Sequence, residues 1–259
     1  MEALAAALVL GLVQGLTEFL PISSSGHLVL VERFLGYNPP GLALEAALHL
    51  ATLGAVVVYY RGRLFHSLLQ ERAFWGQVGV ALAVTAGIGL LLRSRLEAGF
   101  ASIWVTGVGW LLTGVVLLAT RVNMSLCGRK SAPGWWGAVL VGLAQGVALF
   151  PGVSRSGMTI AAAMWAGVAP KEAARFSFFL ALPTILGATV LELGREVFSP
   201  RTLAAPWGEV AGASLVAGVS GWMAIFWLLR WLEKGHLWAF GVYCLLVGGV
   251  ALALAYQGG

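Results

Sequence analysis

Six apolar stretches, each about as long as a membrane-spanning helix, set the strongest limit on what this chain can fold into. A helix needs about 20 apolar residues to cross a bilayer. The stretches cover residues 42–60, 74–92, 101–120, 173–193, 208–229 and 236–256. Apolar residues make up 59% of the 259 residues and charged residues only 10%. We therefore expect an all-α polytopic membrane protein, a single integral membrane domain over residues 1–259 with no soluble domain.

The sequence pattern of the first 35 residues differs from that of an ordinary membrane span. An apolar helix is predicted over residues 3–20, it breaks at Pro21–Gly26, and a short apolar piece runs from Leu28 to about Leu35. Proline and a serine-glycine run both end helices. Two short helices joined by a polar turn are typical of a re-entrant hairpin, which membranes tolerate where the broken backbone is buried in protein or lines water.

An internal repeat divides the chain into halves of approximately 1–130 and 131–259. Gly11–Leu16 reads GLVQGL and Gly142–Val147 reads GLAQGV, an offset of 131 residues. The register continues into the polar loops, where it pairs Phe19 with Phe150, Ser23 with Ser154, Ser25 with Ser156 and Gly26 with Gly157. Each half then holds one hairpin and three spans, so the second half starts on the opposite side of the membrane. The sequence therefore predicts two inverted-topology repeats whose loops meet near the midplane, where such proteins place their sites.

The basic residues between the spans predict the orientation. The side reached after the first full span carries nine of them: Arg61, Arg63, Arg72, Arg121, Arg129, Lys130, Lys171, Arg230 and Lys234. The other side carries five: Arg33, Arg93, Arg95, Arg195 and Arg201. Because cytoplasmic loops are enriched in Lys and Arg, both termini are expected outside the cytoplasm, with the site opening toward the outer face of the plasma membrane.

The first polar loop carries the parts of a covalent hydrolase. Glu18 lies in an apolar window, where a charge costs about 2.5–3.5 kcal/mol or more, and it shares a helix face with Gln14. Hydroxyls follow at Ser23, Ser24 and Ser25, then Gly26 and the imidazole of His27. A hydroxyl beside a base is an activated nucleophile, and Glu18 can either orient the imidazole or bind a divalent cation. The alternative is structural, because serines often cap helices and a lone histidine is often structural.

The second polar loop, Pro151–Gly157, replaces Ser24 of the first by Arg155. A guanidinium presents a planar fork of donors that matches phosphate or carboxylate, and the small residues around it let backbone N–H groups approach an anion. The loop is therefore expected to hold an anion. The alternative is that Arg155 pairs with Glu18 or Glu45 and stabilises the fold.

Glu45 and His49 form a second pair four residues apart. On one face of the first full span they can support the loop residues from behind, or they can form an ordinary interhelical hydrogen bond. Both interpretations stay open at this level.

The two loops resemble those of the bacitracin-resistance-type undecaprenyl-diphosphate phosphatases. That family carries (Glu or Gln)-x-x-x-Glu in the first loop, matched by Gln14 and Glu18, and Pro-Gly-x-Ser-Arg-Ser-Gly in the second, matched by Pro151–Gly157. The resemblance covers essentially the whole chain. It implies hydrolysis of undecaprenyl diphosphate to undecaprenyl phosphate and inorganic phosphate, which recycles the lipid carrier for peptidoglycan synthesis and confers bacitracin resistance.

The resemblance also implies a division of roles. Ser24 would be the nucleophile, with Ser25 and His27 as alternatives, and His27 would act as general base and then acid. Glu18 would bind Mg²⁺, or Ca²⁺, with or without Gln14, or would orient His27, and Arg155 would hold the phosphate. Further contacts to the substrate are expected from Ser23, Ser25, Gly26, Ser154, Ser156 and Gly157.

Inverted repeats and broken helices are equally typical of transporters, so a transporter or flippase for an anionic or polyprenyl-phosphate substrate is the alternative function. It accounts less well for hydroxyls and an imidazole beside Glu18, since binding an anion needs no nucleophile. Expected partners are the polyprenyl diphosphate and membrane lipids, and a homodimer is plausible. The scattered basic residues argue against nucleic acid.

Overall fold

The computed structural model describes residues 2–37, 43–100, 102–122, 128–196 and 206–257. These ranges contain eleven helices and, as their only β-pairing, one isolated bridge between Lys130 and Val168. The helices are α1 (Glu2–Phe19), α2 (Ser24–Leu35), α3 (Ala43–Gln70), α4 (Arg72–Leu91), α5 (Arg93–Phe100), α6 (Ile103–Val122), α7 (Gly134–Val147), α8 (Arg155–Trp165), α9 (Pro170–Glu196), α10 (Trp207–Glu233) and α11 (Leu237–Gln257).

Seven of these helices are long and apolar enough to cross a membrane, namely α1, α3, α4, α6, α9, α10 and α11. The prediction of a polytopic all-α membrane protein is therefore confirmed. Six of the seven match the predicted spans, although α3 continues to Gln70, well beyond the predicted end at residue 60. The seventh is α1, which qualifies by length and composition as a span in its own right, whereas its repeat equivalent α7 has only 14 residues.

Glycines explain how the two repeat-related helices pack. A Cβ on Gly11 would lie 2.3 Å from the carbonyl oxygen of Ala213, so the backbones of α1 and α10 are in contact there. At the equivalent position of the second half, a Cβ on Gly142 would lie 2.7 Å from the carbonyl oxygen of Ala81, where α7 packs against α4. Small residues four apart permit this close approach between helices in lipid. The exchange of partners, α1 with α10 and α7 with α4, is what a twofold repeat requires, and the inverted repeat itself remains a prediction.

The main buried cluster centres on α9 and reaches the first polar loop. Phe176, Phe178 and Phe179 of α9 are all fully buried. Phe178 packs edge-on against Phe19, the residue that ends α1, with ring centroids 5.2 Å apart. Aromatic packing of this kind holds the end of α1 firmly in the core.

Both polar loops lead into short helices, and one boundary differs from its prediction. The second apolar piece of the first hairpin was expected to begin at Leu28, but α2 begins at Ser24. The reason is a cap, since the Oγ of Ser23 accepts a hydrogen bond from the backbone N–H of Gly26 and so starts the helix four residues earlier. In the second half Ser154 caps α8 through the N–H of Gly157 in the same way.

Candidate active site

A buried carboxylate lies at the junction of the two polar loops. Glu18, near the end of α1, has a side chain that is 6% exposed. Its Oε2 accepts hydrogen bonds from the Oγ of Ser24 at 2.6 Å and from the Nε2 of Gln14 at 3.0 Å. Its Oε1 forms an ion pair with Arg155 from the other half of the chain. Three residues that the sequence singled out, Gln14, Ser24 and Arg155, therefore meet at the Glu18 carboxylate.

Arg155 uses only part of its donor set on Glu18. The ion pair is formed by one terminal nitrogen, Nη2, whereas Nη1 is buried and has no hydrogen-bond partner among the described residues. An unpaired buried donor on a charged group is costly in free energy. Its presence therefore indicates that a ligand with a hydrogen-bond acceptor binds here. Of the two ion pairs considered as the structural alternative for Arg155, the one with Glu18 is present. It also leaves donors for an anion.

Two helix N-termini converge on this carboxylate. Ser24 is the first residue of α2 and Arg155 is the first residue of α8, and these positions are equivalent in the repeat. Backbone N–H groups at helix starts and the helix dipole both favour a bound anion such as phosphate. The α2 start is also unusual because Ser23 has φ 70°, the only positive φ of a non-glycine residue in the described ranges. Such backbone strain, of order 1–3 kcal/mol, is concentrated at functional sites.

His27 lies in the same loop but faces another partner. Its Nδ1 is 2.7 Å from the carbonyl oxygen of Ser23, which can only accept, so Nδ1 carries the proton. The other nitrogen, Nε2, lies 2.7 Å from the hydroxyl of Tyr243 on α11, whose ring also stacks on the imidazole. Among the described residues His27 forms no hydrogen bond with Ser24 or Glu18. The group in contact with the Ser24 hydroxyl is therefore the Glu18 carboxylate.

Side chains from distant helices hold the loops in place. Trp110 of α6 is fully buried and its Nε1 donates to the carbonyl oxygen of Ile22 at 2.8 Å. The hydroxyl of Thr113, also on α6, accepts from the backbone N–H of Ser154 at 2.9 Å. These two residues and Tyr243 were not predicted, because no local pattern connects them to the loops.

Some of the remaining residues predicted to contact the substrate form hydrogen bonds within the protein, and others are partly accessible. Ser23, Ser154 and Ser156 are at most 3% exposed, and the Oγ of Ser156 donates to the carbonyl oxygen of Leu20, which ties one loop to the other. Ser25 is half-buried, 3.4 Å from the Oγ of Ser23.

Gly26 and Gly157 lie where a side chain would crowd neighbouring residues. A Cβ on Gly26 would lie 2.6 Å from the Trp110 ring, and one on Gly157 would lie 3.2 Å from the Cβ of Pro21. Their observed role is close packing, and contact with substrate remains a prediction for both.

Glu45 and His49 occupy different environments. His49 is half-buried on α3 and close enough to Glu18 to act on it electrostatically. Glu45 is exposed in the first turn of α3, at the end of the helix rather than in its middle. Its electrostatic neighbour is Glu32 of α2. Of this pair, only His49 acts on Glu18, and support of the loop residues from behind remains a prediction.

The donor set around Glu18 fits a divalent cation that takes most of its ligands from elsewhere. No group of three or more His, Cys, Asp or Glu side chains suited to a metal occurs in the described ranges. The carboxylate of Glu18 is present, however, and the Oε1 of Gln14 beside it is buried without a hydrogen-bond partner. Mg²⁺ commonly binds through one or two protein oxygens together with substrate phosphates and water.

An apolar groove runs beside the second loop. It has a volume of about 310 Å³ and lies between α6 and the segment Val147–Val153, with Trp104, Val108 and Leu112 along one wall. Val153 is two residues from Arg155, so the groove ends close to the anion-binding donors. Its lining suits a hydrocarbon chain.

Comparison with known proteins gives one consistent result. The family model described as bacitracin resistance protein BacA matches residues 7–250. An undecaprenyl-diphosphatase from Desulforapulum autotrophicum is 38% identical, covering 96% of this chain and 97% of the relative. Proteins of the same name from Syntrophotalea carbinolica, 36% identical over 96% and 98% of the two chains, and from Alcanivorax borkumensis, 38% identical over 93% and 95%, are similarly close.

Proposed function

The chain belongs to the bacitracin resistance protein BacA family, and from this membership we propose that it hydrolyses undecaprenyl diphosphate to undecaprenyl phosphate and inorganic phosphate. The relatives are named for this reaction. The observation that carries the proposal is the Ser24 hydroxyl held 2.6 Å from the buried Glu18 carboxylate, beside a guanidinium with an unused donor. A transporter needs the anion-binding groups but not a hydroxyl aligned with a base, so the transporter alternative is not favoured.

In the proposed reaction Ser24 attacks the terminal phosphorus atom. Glu18 is the acceptor already in contact with the Ser24 hydroxyl, so it takes the proton as the new O–P bond forms and the bond to the bridging oxygen breaks. Undecaprenyl phosphate leaves, and water then hydrolyses the phosphoserine. This assigns the first proton to Glu18 rather than to His27, which stays a candidate for the water step.

Arg155 and the two helix starts bind the transferred phosphate. The Nη1 of Arg155 and the first backbone N–H groups of α2 and α8 supply donors in a protein-enclosed site, where each is worth more than in water. The phosphate competes with Glu18 for the guanidinium. Substrate binding therefore loosens the ion pair and frees the Oε1 of Glu18.

Gln14 and Glu18 are the residues that would hold Mg²⁺ against the diphosphate. A bound Mg²⁺ supplies charge neutralisation on the phosphate oxygens. The protein side of that contact is the Glu18 carboxylate and the unpartnered amide oxygen of Gln14.

The prenyl chain is proposed to leave the site along the apolar groove beside α6. Its volume of about 310 Å³ accommodates only the isoprene units nearest the diphosphate, and the rest of the chain lies in the bilayer. Lateral entry from the membrane follows from this placement.

The function is tested by phosphate release from undecaprenyl diphosphate by the purified protein in detergent, after chelation and again after addition of Mg²⁺. We expect release that requires the metal. If the folded protein releases no phosphate under either condition, the proposal is wrong, and uptake of the same anion into proteoliposomes would then support the transporter.

A further inference from the structure

A second cavity, of about 310 Å³, lies away from Glu18 between the later part of α3, the start of α9 and the end of α10. Four of the side chains that line it are cationic and two are phenols: Arg63, Lys171, Arg175, Arg230, Tyr59 and Tyr60. Nothing in the proposed reaction uses any of them.

Three of the four cations are paired, and the fourth is not. Arg63 and Arg175 both lie against Glu172, at 2.6 Å and 2.9 Å, and Lys171 pairs with Glu233. Arg230 has no carboxylate within ion-pair distance in the described ranges. Its guanidinium instead stacks on the Phe226 ring, 4.1 Å from the centroid.

Arg175 is also bonded to Glu71 at 3.2 Å. Among the residues that the structure describes, three carboxylates therefore face four cations around this cavity. One positive charge, on Arg230 at the exposed rim, is left without a carboxylate.

The two phenols add unused hydrogen-bond capacity. The hydroxyls of Tyr59 and Tyr60 have no hydrogen-bond partner among the described residues, although Tyr60 is only 8% exposed. Glu233, the only carboxylate among the described lining residues, is paired with Lys171. Donors without partners around an excess positive charge match an oxyanion, and an arginine fork matches phosphate in particular.

An aromatic path connects the cavity with the exposed surface of α10. Tyr59 contacts Trp222 at 6.1 Å between ring centroids, and Trp222 stacks on Phe226 at 6.2 Å. Trp222 is 43% exposed. Such a path suits a ligand whose charged end lies in the cavity and whose apolar end lies in the membrane, as basic pockets between membrane helices do for anionic lipids.

We propose that the cavity between α3, α9 and α10 binds a phosphate group, either the headgroup of an anionic membrane phospholipid or free inorganic phosphate. The aromatic path on α10 favours the lipid. The inference does not depend on the reaction at Glu18, because none of the residues that carry it contacts that site.

The test is native mass spectrometry of the purified protein in detergent with phosphatidylglycerol or phosphatidylcholine, with and without excess inorganic phosphate. The variants are Arg230→Gln and Tyr59→Phe. Arg121→Gln is the matched control, because Arg121 also stacks on an aromatic ring, that of Trp238 at 4.7 Å, but lies outside the cavity.

We expect wild type to bind phosphatidylglycerol more tightly than phosphatidylcholine. Arg230→Gln should weaken phosphatidylglycerol binding about tenfold, the loss of one charge-assisted contact. Tyr59→Phe should weaken it less, and Arg121→Gln should leave it unchanged. Failure of inorganic phosphate to compete identifies the lipid as the ligand, whereas competition together with a raised unfolding temperature in phosphate alone identifies the free ion. Equal phosphatidylglycerol binding by wild type and all three variants, with no effect of phosphate, would overturn the proposal.

Discussion

At the scale of single residues, Ser24 and Arg155 favour opposite protonation states of the Glu18 carboxylate. The Ser24 hydroxyl needs a carboxylate that can accept a proton, whereas the Arg155 guanidinium stabilises that carboxylate in its charged form. A bound phosphate that interacts with the Arg155 guanidinium weakens its effect on Glu18. Before substrate binds, the ion pair thus keeps the buried Glu18 carboxylate charged, and the reaction then uses this carboxylate as the base.

The identity of the nucleophile is tested by single hydroxyl deletions. Ser24→Ala should lower kcat by at least about 10³-fold, since no other hydroxyl contacts Glu18 among the described residues. Ser25→Ala is the matched control, one residue further along α2, and should stay within about tenfold of wild type. The kcat of each variant is measured by steady-state kinetics on undecaprenyl diphosphate. A large loss of kcat in Ser25→Ala with little loss in Ser24→Ala would identify Ser25 as the nucleophile.

Stability and activity should separate in a double-mutant cycle on the ion pair. Glu18→Gln leaves a buried guanidinium without its carboxylate, which costs about 3–5 kcal/mol, and it also removes the base. Adding Arg155→Gln should restore much of the thermal stability in detergent but none of the turnover. Recovery of turnover in the double variant would show that the pair only stabilises the fold.

The residues of the site could be predicted to different degrees. Gln14 and Glu18 are four apart on one helix, and the repeat relates Ser24 to Arg155, so the sequence alone indicates that these groups belong together. Tyr243 and Trp110 bond to loop atoms 216 and 88 residues away in the chain. Contacts of that kind are formed by tertiary packing, and no local spacing predicts them.

At the scale of the elements, the short helix α2 depends on a glycine for its position. A Cβ at Gly26 would lie 2.6 Å from the fully buried Trp110 ring, so Gly26→Ala should cost about 1–3 kcal/mol through overpacking. Gly54→Ala on α3 is the control, because its Cβ would meet nothing within 4 Å and alanine favours a helix by up to about 1 kcal/mol. Unfolding midpoints in one detergent should move in opposite directions. A stable Gly26→Ala variant would contradict the packing described for this loop.

The groove beside α6 predicts that KM depends on the isoprene units next to the diphosphate. Val108 is 55% exposed in the groove wall, and Val108→Trp should fill the space and raise KM for undecaprenyl diphosphate about tenfold, because apolar contact is lost. KM for a diphosphate that carries no isoprene unit, such as methyl diphosphate, should change little, because nothing in it reaches the groove.

Val115→Trp, two turns along the same helix and 58% exposed, lies outside the groove and serves as the control. An equal rise in KM for both substrates, or the same effect at Val115, would place the prenyl chain elsewhere.

Helix positions were predicted better than helix ends. Hydropathy locates the part of a helix that lies in lipid, so the spans agree with the structure. Helix α3 continues to Gln70 through a segment where Arg61, Arg63 and His66 interrupt the apolar residues. The early start of α2 was not predicted, for a different reason. Its cap is a serine with a positive φ, which the sequence alone does not reveal.

At the scale of the whole molecule, the inverted repeat makes a prediction about the termini. If α1–α2 and α7–α8 are re-entrant hairpins, six helices cross the membrane and both termini lie outside the cytoplasm. If α1 instead crosses as an ordinary seventh span, the termini lie on opposite sides.

An epitope tag at residue 2 and alkaline phosphatase fused after residue 257 report the two ends separately. We expect surface labelling of the tag in intact cells together with active alkaline phosphatase. A green fluorescent protein fusion at the same C-terminal position should stay dark. A tag that is protected while the C-terminal enzyme is active would contradict the hairpin and, with it, the inverted repeat.

The central claim is that one site is built from both halves of the chain, with Ser24 and Glu18 from the first acting on a phosphate held by Arg155 from the second. The measurement that tests it most directly is phosphate release from undecaprenyl diphosphate by Arg155→Ala beside wild type, in preparations matched for folding by their unfolding midpoints. We expect kcat/KM to fall by about 10²–10³-fold or more, the effect of removing a preorganised donor to the reacting group. Wild-type release by Arg155→Ala would contradict a composite site.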